Sequence, residues 1–258
     1  MPIHPTAVVD PAARVAESAE IGPYCIIGPE VEIGARTRLM ANLYLEGPTW
    51  IGEDNIFFPY STVGVASQDL KYKGERAETR IGHRNRIREF ITIHRGTQGG
   101  GLVTSIGDDN LLMAYVHVAH DVHIGNRTVL ANGVTVGGHV SVGDWAVIGA
   151  FTGIHQFCRV GRHAMIGGYS VITRDVFPFS MTVGERPIKV YGANKTGLER
   201  REFSAATIDA LQKAFRLLTR SGLNTSQAIE RIRAEIPPIP EIEEIISYIQ
   251  ASERGVIR

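Results

Sequence analysis

The segment AYVHVAHDVHIG, residues 114–125, contains three evenly spaced histidines and one aspartate. His117, His120 and His123 suit a metal site, because neutral imidazoles are common ligands of Zn²⁺. The adjacent pair His120 and Asp121 suits a general base, since a carboxylate can orient an imidazole whose ordinary pKa is about 6.5. All of them could also be plain surface residues. The choice depends on the backbone that positions these side chains.

That backbone has a six-residue repeat. An aliphatic or aromatic residue recurs at every sixth position from Ile3 to Val63, again from Ile81 to Ile93, and without a break from Ile106. Four residues after each aliphatic stands a small or β-branched residue: Val116, Val122, Thr128, Val134, Val140, Ala146, Thr152, Cys158, Ala164, Ser170 and Val176. A period of six fits neither an α-helix nor a simple alternating strand. It predicts a parallel β-helix whose short strands are joined by tight turns.

The composition favours a soluble cytoplasmic protein that does not bind nucleic acid. The chain has 258 residues, of which 27 are basic and 27 acidic, so no net positive charge attracts a nucleic acid. It contains no apolar run long enough to cross a membrane and no apolar core of a signal peptide. Cys25 and Cys158 both fall on the small inward position, which predicts buried core residues rather than reactive thiols.

The repeat is interrupted twice and then ends. Residues 64–80 lack the expected aliphatics, and a break at about residues 95–105 shifts the register; insertions of this kind form loops that often line a binding face. After about Asn194 the pattern becomes helical, with Ser204 as an N-cap and Gly222 as a stop for the first long helix. We therefore expect a β-helix over residues 1–190 and a C-terminal helical domain over residues 191–258.

The histidines all lie outside the two inward positions. If three hexads form one coil, residues eighteen apart stack at about 4.8 Å. One outer column then contains His120, Gly138 and Gln156, with Asp121 beneath His139 in the adjoining column. This predicts a polar site on one edge of the solenoid.

Several motifs resemble those of the UDP-N-acetylglucosamine O-acyltransferase family, and the resemblance extends over nearly the whole chain. They are QDLKYKGE, HRGT, GGG, DNLLMAYVHVAHD, LANGVTVGGHVSV, HQFCRVG and the terminal RGVIR. The resemblance implies a left-handed parallel β-helix with a C-terminal helical domain, assembled as a homotrimer with active sites between subunits. The hand of the helix comes from the resemblance alone.

The resemblance also implies the chemistry, the first step of lipid A biosynthesis. A fatty acyl group, expected to be 3-hydroxylated, moves from acyl carrier protein to the 3-hydroxyl of UDP-N-acetylglucosamine, without a cofactor or a metal. By resemblance His120 is the general base, Asp121 orients it, and the Gly138 N–H stabilises the oxyanion. The binding residues implied in the same way are Gln68, Asp69, Lys71, His117, His139, His155, Gln156, Asn194, Arg200 and Arg201.

Gly168 matches the position at which the family measures acyl-chain length, and a residue without a side chain there predicts a long acyl group. The chain departs from the family pattern at Thr196, where an acidic residue often contacts uridine, and at Glu202, where glycine is common. A basic C-terminal segment should attract the acidic carrier protein. Its residues are Lys195, Arg200, Arg201, Lys213, Arg216 and Arg220.

Three alternatives stay open at this point. A β-helix carbonic anhydrase would use the histidines of HVAHDVH to hold zinc. A non-catalytic solenoid would serve as a binding scaffold. Another β-helix acyltransferase would take its acyl group from coenzyme A instead of a carrier protein.

Overall fold

The computed structural model describes residues 3–184 and 188–258, and most of its hexads form strands of two residues. In each short strand one side chain points inward and the next points outward, because successive residues of a strand face opposite sides. In chain order the strands are β1 Val8–Val9, β2 Arg14–Val15, β3 Glu20–Ile21, β4 Ile26–Ile27, β5 Val31–Ile33, β6 Arg38–Leu39, β7 Tyr44–Leu45, β8 Thr49–Ile51, β9 Ile56–Phe57, β10 Thr62–Val65, β11 Glu78–Ile81, β12 Arg86–Ile87, β13 Thr92–His94, β14 Val103–Ile106, β15 Leu111–Leu112, β16 His117–Val118, β17 His123–Ile124, β18 Val129–Leu130, β19 Thr135–Val136, β20 Ser141–Val142, β21 Val147–Ile148, β22 Gly153–Ile154, β23 Arg159–Val160, β24 Met165–Ile166, β25 Val171–Ile172, β26 Ser180–Val183 and β27 Lys189–Ala193.

Every third strand pairs in parallel, so the hexads build the three sides of a prism. The register is eighteen residues, as the pairing of His117 with Thr135 and of Thr135 with Gly153 illustrates. The first sheet contains the strands from β1 to β25, the second those from β2 to β23, and the third those from β3 to β24. The third sheet continues into β26 and β27, which pair with each other antiparallel.

The aliphatic position of each hexad fills the prism. From Ile21 to Ile172 every such residue is buried, with 4% or less of its surface exposed. Fully burying one of these side chains contributes about 1.5–3 kcal/mol. Cys25 and Cys158 are completely buried in the same core, as predicted, and burial raises the pKa of the Cys158 thiol to about 11. Ile3 is 37% exposed because it lies in the open first coil.

Both insertions leave the prism at the edge between the first and second sheets. One follows β10 and the other follows β13, and the second contains a short 3₁₀ helix, Gln98–Gly100. The turn from β16 to β17, which contains His120, lies on the same edge. The two breaks in the repeat therefore place their extra residues beside the histidine-rich segment.

The C-terminal region consists of four helices, α1 Lys195–Glu199, α2 Ala205–Arg220, α3 Thr225–Glu235 and α4 Pro240–Gln250. Ser204 caps α2 by accepting a hydrogen bond from the Thr207 N–H, as predicted. The buried face of α2 packs against β27 and places Phe215 against Phe177 of the β-helix. None of the described helices is both long and apolar enough to cross a membrane. The expected domain boundary at residue 190 falls inside β27, a strand that the repeat did not predict.

Candidate active site

His120 and Asp121 occupy the turn between β16 and β17. Asp121 has a left-handed backbone with φ of 57°, which Asp, Asn and His adopt more readily than other residues with side chains. Its carboxylate is fully buried, whereas 12% of the His120 side chain is exposed. The Oδ2 atom of Asp121 lies 2.8 Å from Nδ1 of His120. When Nδ1–H donates to this carboxylate, Nε2 keeps its lone pair free to accept a proton.

Gly138 lies one coil further along the same edge, as the eighteen-residue repeat predicted. A Cβ atom at this position would stand 2.6 Å from both Cε1 and Nε2 of His120. The imidazole can lie against this backbone only because residue 138 has no side chain. In the part of the chain that the structure describes, no backbone carbonyl accepts a hydrogen bond from the Gly138 N–H. This donor is therefore free to bind a negative oxygen.

His139 packs beside His120. Its backbone N–H donates to the His120 carbonyl at 3.1 Å, and the two rings meet edge to face with centroids 5.0 Å apart. On its other side the His139 ring stacks on Phe157 at 4.3 Å. Burial is the main cause that lowers the pKa of His139, although the nearby Asp121 carboxylate opposes it. His139 is consequently best suited to donate or accept hydrogen bonds as a neutral imidazole.

His117 and His94 form a second neutral pair below His120. His117 Nδ1 lies 2.7 Å from Thr92 Oγ1, and burial lowers the pKa of His117 to about 4. His94 is 5% exposed, and its Nδ1 lies 2.7 Å from the Ala66 carbonyl oxygen, to which it donates. Burial lowers the pKa of His94 as well. His94 belongs to the HRGT motif, but no role was predicted for it from the sequence.

These histidines face a cavity of about 490 Å³ that the first insertion helps to enclose. Within that insertion Asp69 Oδ1 accepts a hydrogen bond from the Lys71 N–H at 3.0 Å. The resulting turn places the predicted binding residues of the loop beside those of the β-helix. The cavity is lined by Gln68, Asp69, Leu70, Lys71, His94, His117, Ala119, His120, His139, Gln156 and Phe157.

The three evenly spaced histidines do not converge. His123 lies in the second sheet, is exposed and contacts Ser105 at 2.8 Å. The group that could hold a metal ion among the described residues is instead His120, Asp121 and His139, whose ligand atoms lie within 4.8 Å of one another. Both Asp121 oxygens already accept hydrogen bonds from Thr97. This arrangement suits the orientation of His120 better than metal binding.

A second cavity, of about 690 Å³, contains the predicted nucleotide contacts. It is lined by Trp145, Val147, Met165, Met181, Tyr191, Gly192, Ala193, Asn194, Lys195, Thr196, Gly197, Arg200, Arg201 and Gln212. The Arg201 guanidinium lies 4.7 Å from the centre of the Trp145 ring, and burial lowers the pKa of Arg201. Asn194 also has a structural contact, because its amide donates to the His163 carbonyl at 3.0 Å.

The two cavities lie on different edges of the prism. Trp145 occupies a turn from the second to the third sheet, whereas His120 occupies a turn from the first to the second. Gly168 follows β24 on the remaining edge and is exposed, as expected for a residue eight hexads beyond His120. The exposed His155 is absent from the described lining of both cavities. A single chain therefore brings only part of the predicted site together.

Comparisons with known proteins cover the whole chain. Residues 104–138 match the model of bacterial transferase hexapeptide repeats, and residues 175–257 match domain 2 of UDP-N-acetylglucosamine O-acyltransferases. An acyl-[acyl-carrier-protein]–UDP-N-acetylglucosamine O-acyltransferase from Thermodesulfovibrio yellowstonii is 48% identical over 99% of both chains, and one from Syntrophobacter fumaroxidans is 44% identical over 100% of both. The chain belongs to the UDP-N-acetylglucosamine O-acyltransferase family.

Solved structures of the family agree with this assignment. LpxA from Acinetobacter baumannii superposes with a TM-score of 0.96 at 45% identity over 100% of both chains. LpxA from Bacteroides fragilis gives a TM-score of 0.97 at 42% identity over 99% of this chain and 100% of that one. The predicted fold, a left-handed parallel β-helix of hexapeptide repeats with a C-terminal helical region, is thereby confirmed, as is the family inferred from the motifs.

Proposed function

We propose that this protein transfers a fatty acyl group from acyl carrier protein to the 3-hydroxyl of UDP-N-acetylglucosamine, the first step of lipid A biosynthesis. The observation that supports it most directly is the contact of His120 with buried Asp121 on one side and with the backbone of Gly138 on the other. The full-length relatives in Thermodesulfovibrio yellowstonii and Syntrophobacter fumaroxidans have names that give the same acyl donor, the same sugar nucleotide and an O-acyl transfer. The sugar hydroxyl can attack the thioester of the carrier once His120 removes its proton, so the three groups are sufficient for acyl transfer.

The proposed reaction is a direct transfer. His120 Nε2 removes the proton from the sugar 3-hydroxyl while its oxygen attacks the thioester carbonyl carbon. Asp121 stabilises the resulting imidazolium, and the Gly138 N–H binds the carbonyl oxygen as it becomes negative. The carbon–sulfur bond then breaks, and the thiolate of the carrier takes the proton from His120. Neither cysteine can form a covalent intermediate, because Cys25 and Cys158 are fully buried in the prism.

We assign substrate contacts to the cavity that contains His120. Gln68, Asp69 and Lys71 would bind the sugar and the hydroxyl of a 3-hydroxyacyl chain, since they line the cavity from the first insertion. The neutral imidazoles of His117 and His139 suit hydrogen bonds to an uncharged sugar, and His155 and Gln156 extend this surface along the next coil. A 3-hydroxylated acyl group is preferred in this assignment because Asp69 can accept a hydrogen bond from its hydroxyl.

The separation of the two cavities supports a homotrimer with shared sites. Asn194, Arg200 and Arg201 are suited to uridine and diphosphate, but they lie on a different edge from His120. Two guanidiniums match the geometry of a diphosphate. A neighbouring subunit would supply these contacts, and its exposed Gly168 would border the groove for the acyl chain. Thr196 occupies the place of the acidic uridine contact and offers a hydroxyl instead.

We assign carrier docking to the C-terminal helices and the reaction to the cytoplasm. Lys213, Arg216 and Arg220 lie on α2 and are exposed, so they present positive charge to an acidic carrier protein. Lys195 pairs with Glu199 at 3.8 Å, which leaves the α2 residues as the main source of attraction. Such steering raises the association rate more than the affinity and weakens with added salt.

The experiment that tests this function supplies the purified chain with UDP-N-acetylglucosamine and with matched acyl groups on acyl carrier protein or coenzyme A. The proposal predicts an O-acyl sugar nucleotide and free carrier thiol, with acyl carrier protein as the better donor. Equal or faster transfer from coenzyme A would support the alternative acyltransferase. Absence of product from every donor would contradict the proposal, and metal analysis of the same sample would test the zinc enzyme alternative.

A further inference from the structure

We propose that Thr97 is a positioning residue for the acyl transfer: it fixes the Asp121 carboxylate and, through that carboxylate, the His120 imidazole. The proposal rests on the function proposed above and adds residues of the second insertion to its machinery. Interruptions of the hexad repeat were expected to form binding loops. The second insertion instead packs against the buried carboxylate of Asp121.

Thr97 binds both oxygens of Asp121. Its backbone N–H donates to Oδ1 at 2.8 Å, and its hydroxyl donates to Oδ2 at 2.6 Å. Thr97 is 4% exposed and Asp121 only 1% exposed, so water does not compete for these bonds. Hydrogen bonds to a carboxylate are shorter and stronger than those between neutral groups. With His120 Nδ1 as a further donor to Oδ2, the carboxylate has a single orientation.

Gly100 closes the space around the same carboxylate. A Cβ atom built at Gly100 would overlap the Asp121 side chain, whereas one at Gly99 would have Thr97 Oγ1 as its nearest neighbour at 3.9 Å. Neither glycine has a positive φ, so alanine suits the backbone at both positions. The glycine at 100 is therefore required by contact with Asp121, and the glycine at 99 is not.

The insertion is held in this position by hydrogen bonds to β10, to the first insertion and within itself. Arg95 Nε donates to the Gly64 carbonyl at 2.8 Å, and the Gln98 N–H donates to Glu75 Oε1 at 3.0 Å. The Leu102 N–H closes the loop onto the Thr97 carbonyl at 2.9 Å. Thr97 thus lies on a fixed support, as a residue must if it is to lock the rotamer of a reacting side chain.

The test compares Thr97→Val, which replaces the hydroxyl with a methyl group, with Thr97→Ser, which keeps the hydroxyl. For Thr97→Val we expect kcat to fall by about tenfold or more, with KM for the sugar nucleotide unchanged, because a hydrogen bond to a charged group is lost. The acid limb of the kcat–pH profile should move to higher pH, since a carboxylate with one donor fewer attracts the proton on His120 more strongly. Thr97→Ser should have the kcat and the kcat–pH profile of the parent chain.

A second pair of variants tests the positioning role without changing Thr97, so that the test does not depend on whether the Thr97 variants fold. Gly100→Ala should lower kcat by about tenfold or more because it displaces the carboxylate, whereas Gly99→Ala should stay within about twofold of the parent chain. Equal kcat and equal pH profiles for Thr97→Val, Gly100→Ala and the parent would overturn the positioning role. A parent chain that transfers no acyl group would instead contradict the proposed function itself.

Discussion

The imidazole of His120 lies against the backbone of Gly138, one coil further along the helix, with no room between them for a methyl group. Gly138→Ala should therefore displace the ring while the fold survives, because φ at this position is not in the left-handed region. We expect kcat to fall on the order of 10²-fold, as for other misplaced reacting groups. Steady-state kinetics and a thermal melt test this.

Gly153→Ala is the matched control for that variant. A Cβ atom at Gly153 would meet no other atom within 4 Å. Gly153 lies in β22, which pairs with β19, the strand that precedes Gly138. The melting temperature of Gly153→Ala should stay close to that of the parent. Parental kcat in Gly138→Ala would contradict the prediction that the position of the His120 imidazole determines the rate.

Sites shared between subunits predict complementation between two impaired chains. His120→Ala lacks the proposed base, and Arg201→Ala lacks a guanidinium of the second cavity, so each variant alone should be impaired in the proposed homotrimer. Trimers formed at random from equal amounts of the two chains should have about a quarter of the parent activity, because about three quarters of them are mixed and each mixed trimer contains one intact site of three. Activity that stays at the level of the separate variants would contradict a site built from two subunits.

Gly168→Met should shorten the preferred acyl chain. The residue is exposed at a turn after β24, so the new side chain would enter the proposed groove rather than the core. Each excluded methylene changes discrimination by about 1–3 kcal/mol. Competition between carrier thioesters of different length measures the shift. An unchanged preference, with the fold intact, would remove Gly168 from the groove.

Acid should destabilise the fold through buried histidines. Burial is the main cause that lowers the pKa of His163 to about 4, and it does the same for His117. In the unfolded chain these groups take up protons near pH 6.5. The unfolded state therefore binds more protons between pH 6.5 and 4, and stability is lost as the pH falls through that window.

His163→Asn tests this directly, because asparagine tolerates the left-handed φ of 56° at that turn. The variant should be less stable at neutral pH, since it loses the stacking on Trp145 and Phe179. Its melting temperature should nevertheless depend less on pH by on the order of a few degrees. The exposed His123→Asn should keep the parental dependence; an unchanged slope in His163→Asn would contradict the explanation.

The hexad repeat predicted much of the fold because the same six-residue spacing determines where the strands of all three sheets lie. The inward positions from Ile21 to Ile172 are buried as expected, and the column of His120 and Gly138 follows from the same register. Ser204 and Gly222 likewise marked the first long helix correctly. These features depend on residues that are near in sequence or separated by one fixed interval.

The features that the sequence did not predict depend on contacts between distant segments. His94 and His163 are buried although neither points into the prism, because the first insertion covers one and the C-terminal region, including Phe203, covers the other. The support that Thr97 gives to Asp121 joins a residue inside the register break to a residue of the following coil. The antiparallel strand β27 has no hexad signal at all.

The most direct test of the proposed acyl transfer is a single-turnover measurement with saturating UDP-N-acetylglucosamine and acyl carrier protein thioester. It compares the parent chain with His120→Ala and His123→Ala. We expect ester formation to fall by roughly 10²–10⁴-fold in His120→Ala, because this variant lacks the proposed general base, while the protein remains folded. His123→Ala should change little, since His123 is exposed in the second sheet. Ester formation at the parental rate in His120→Ala would contradict the role of His120 as the general base.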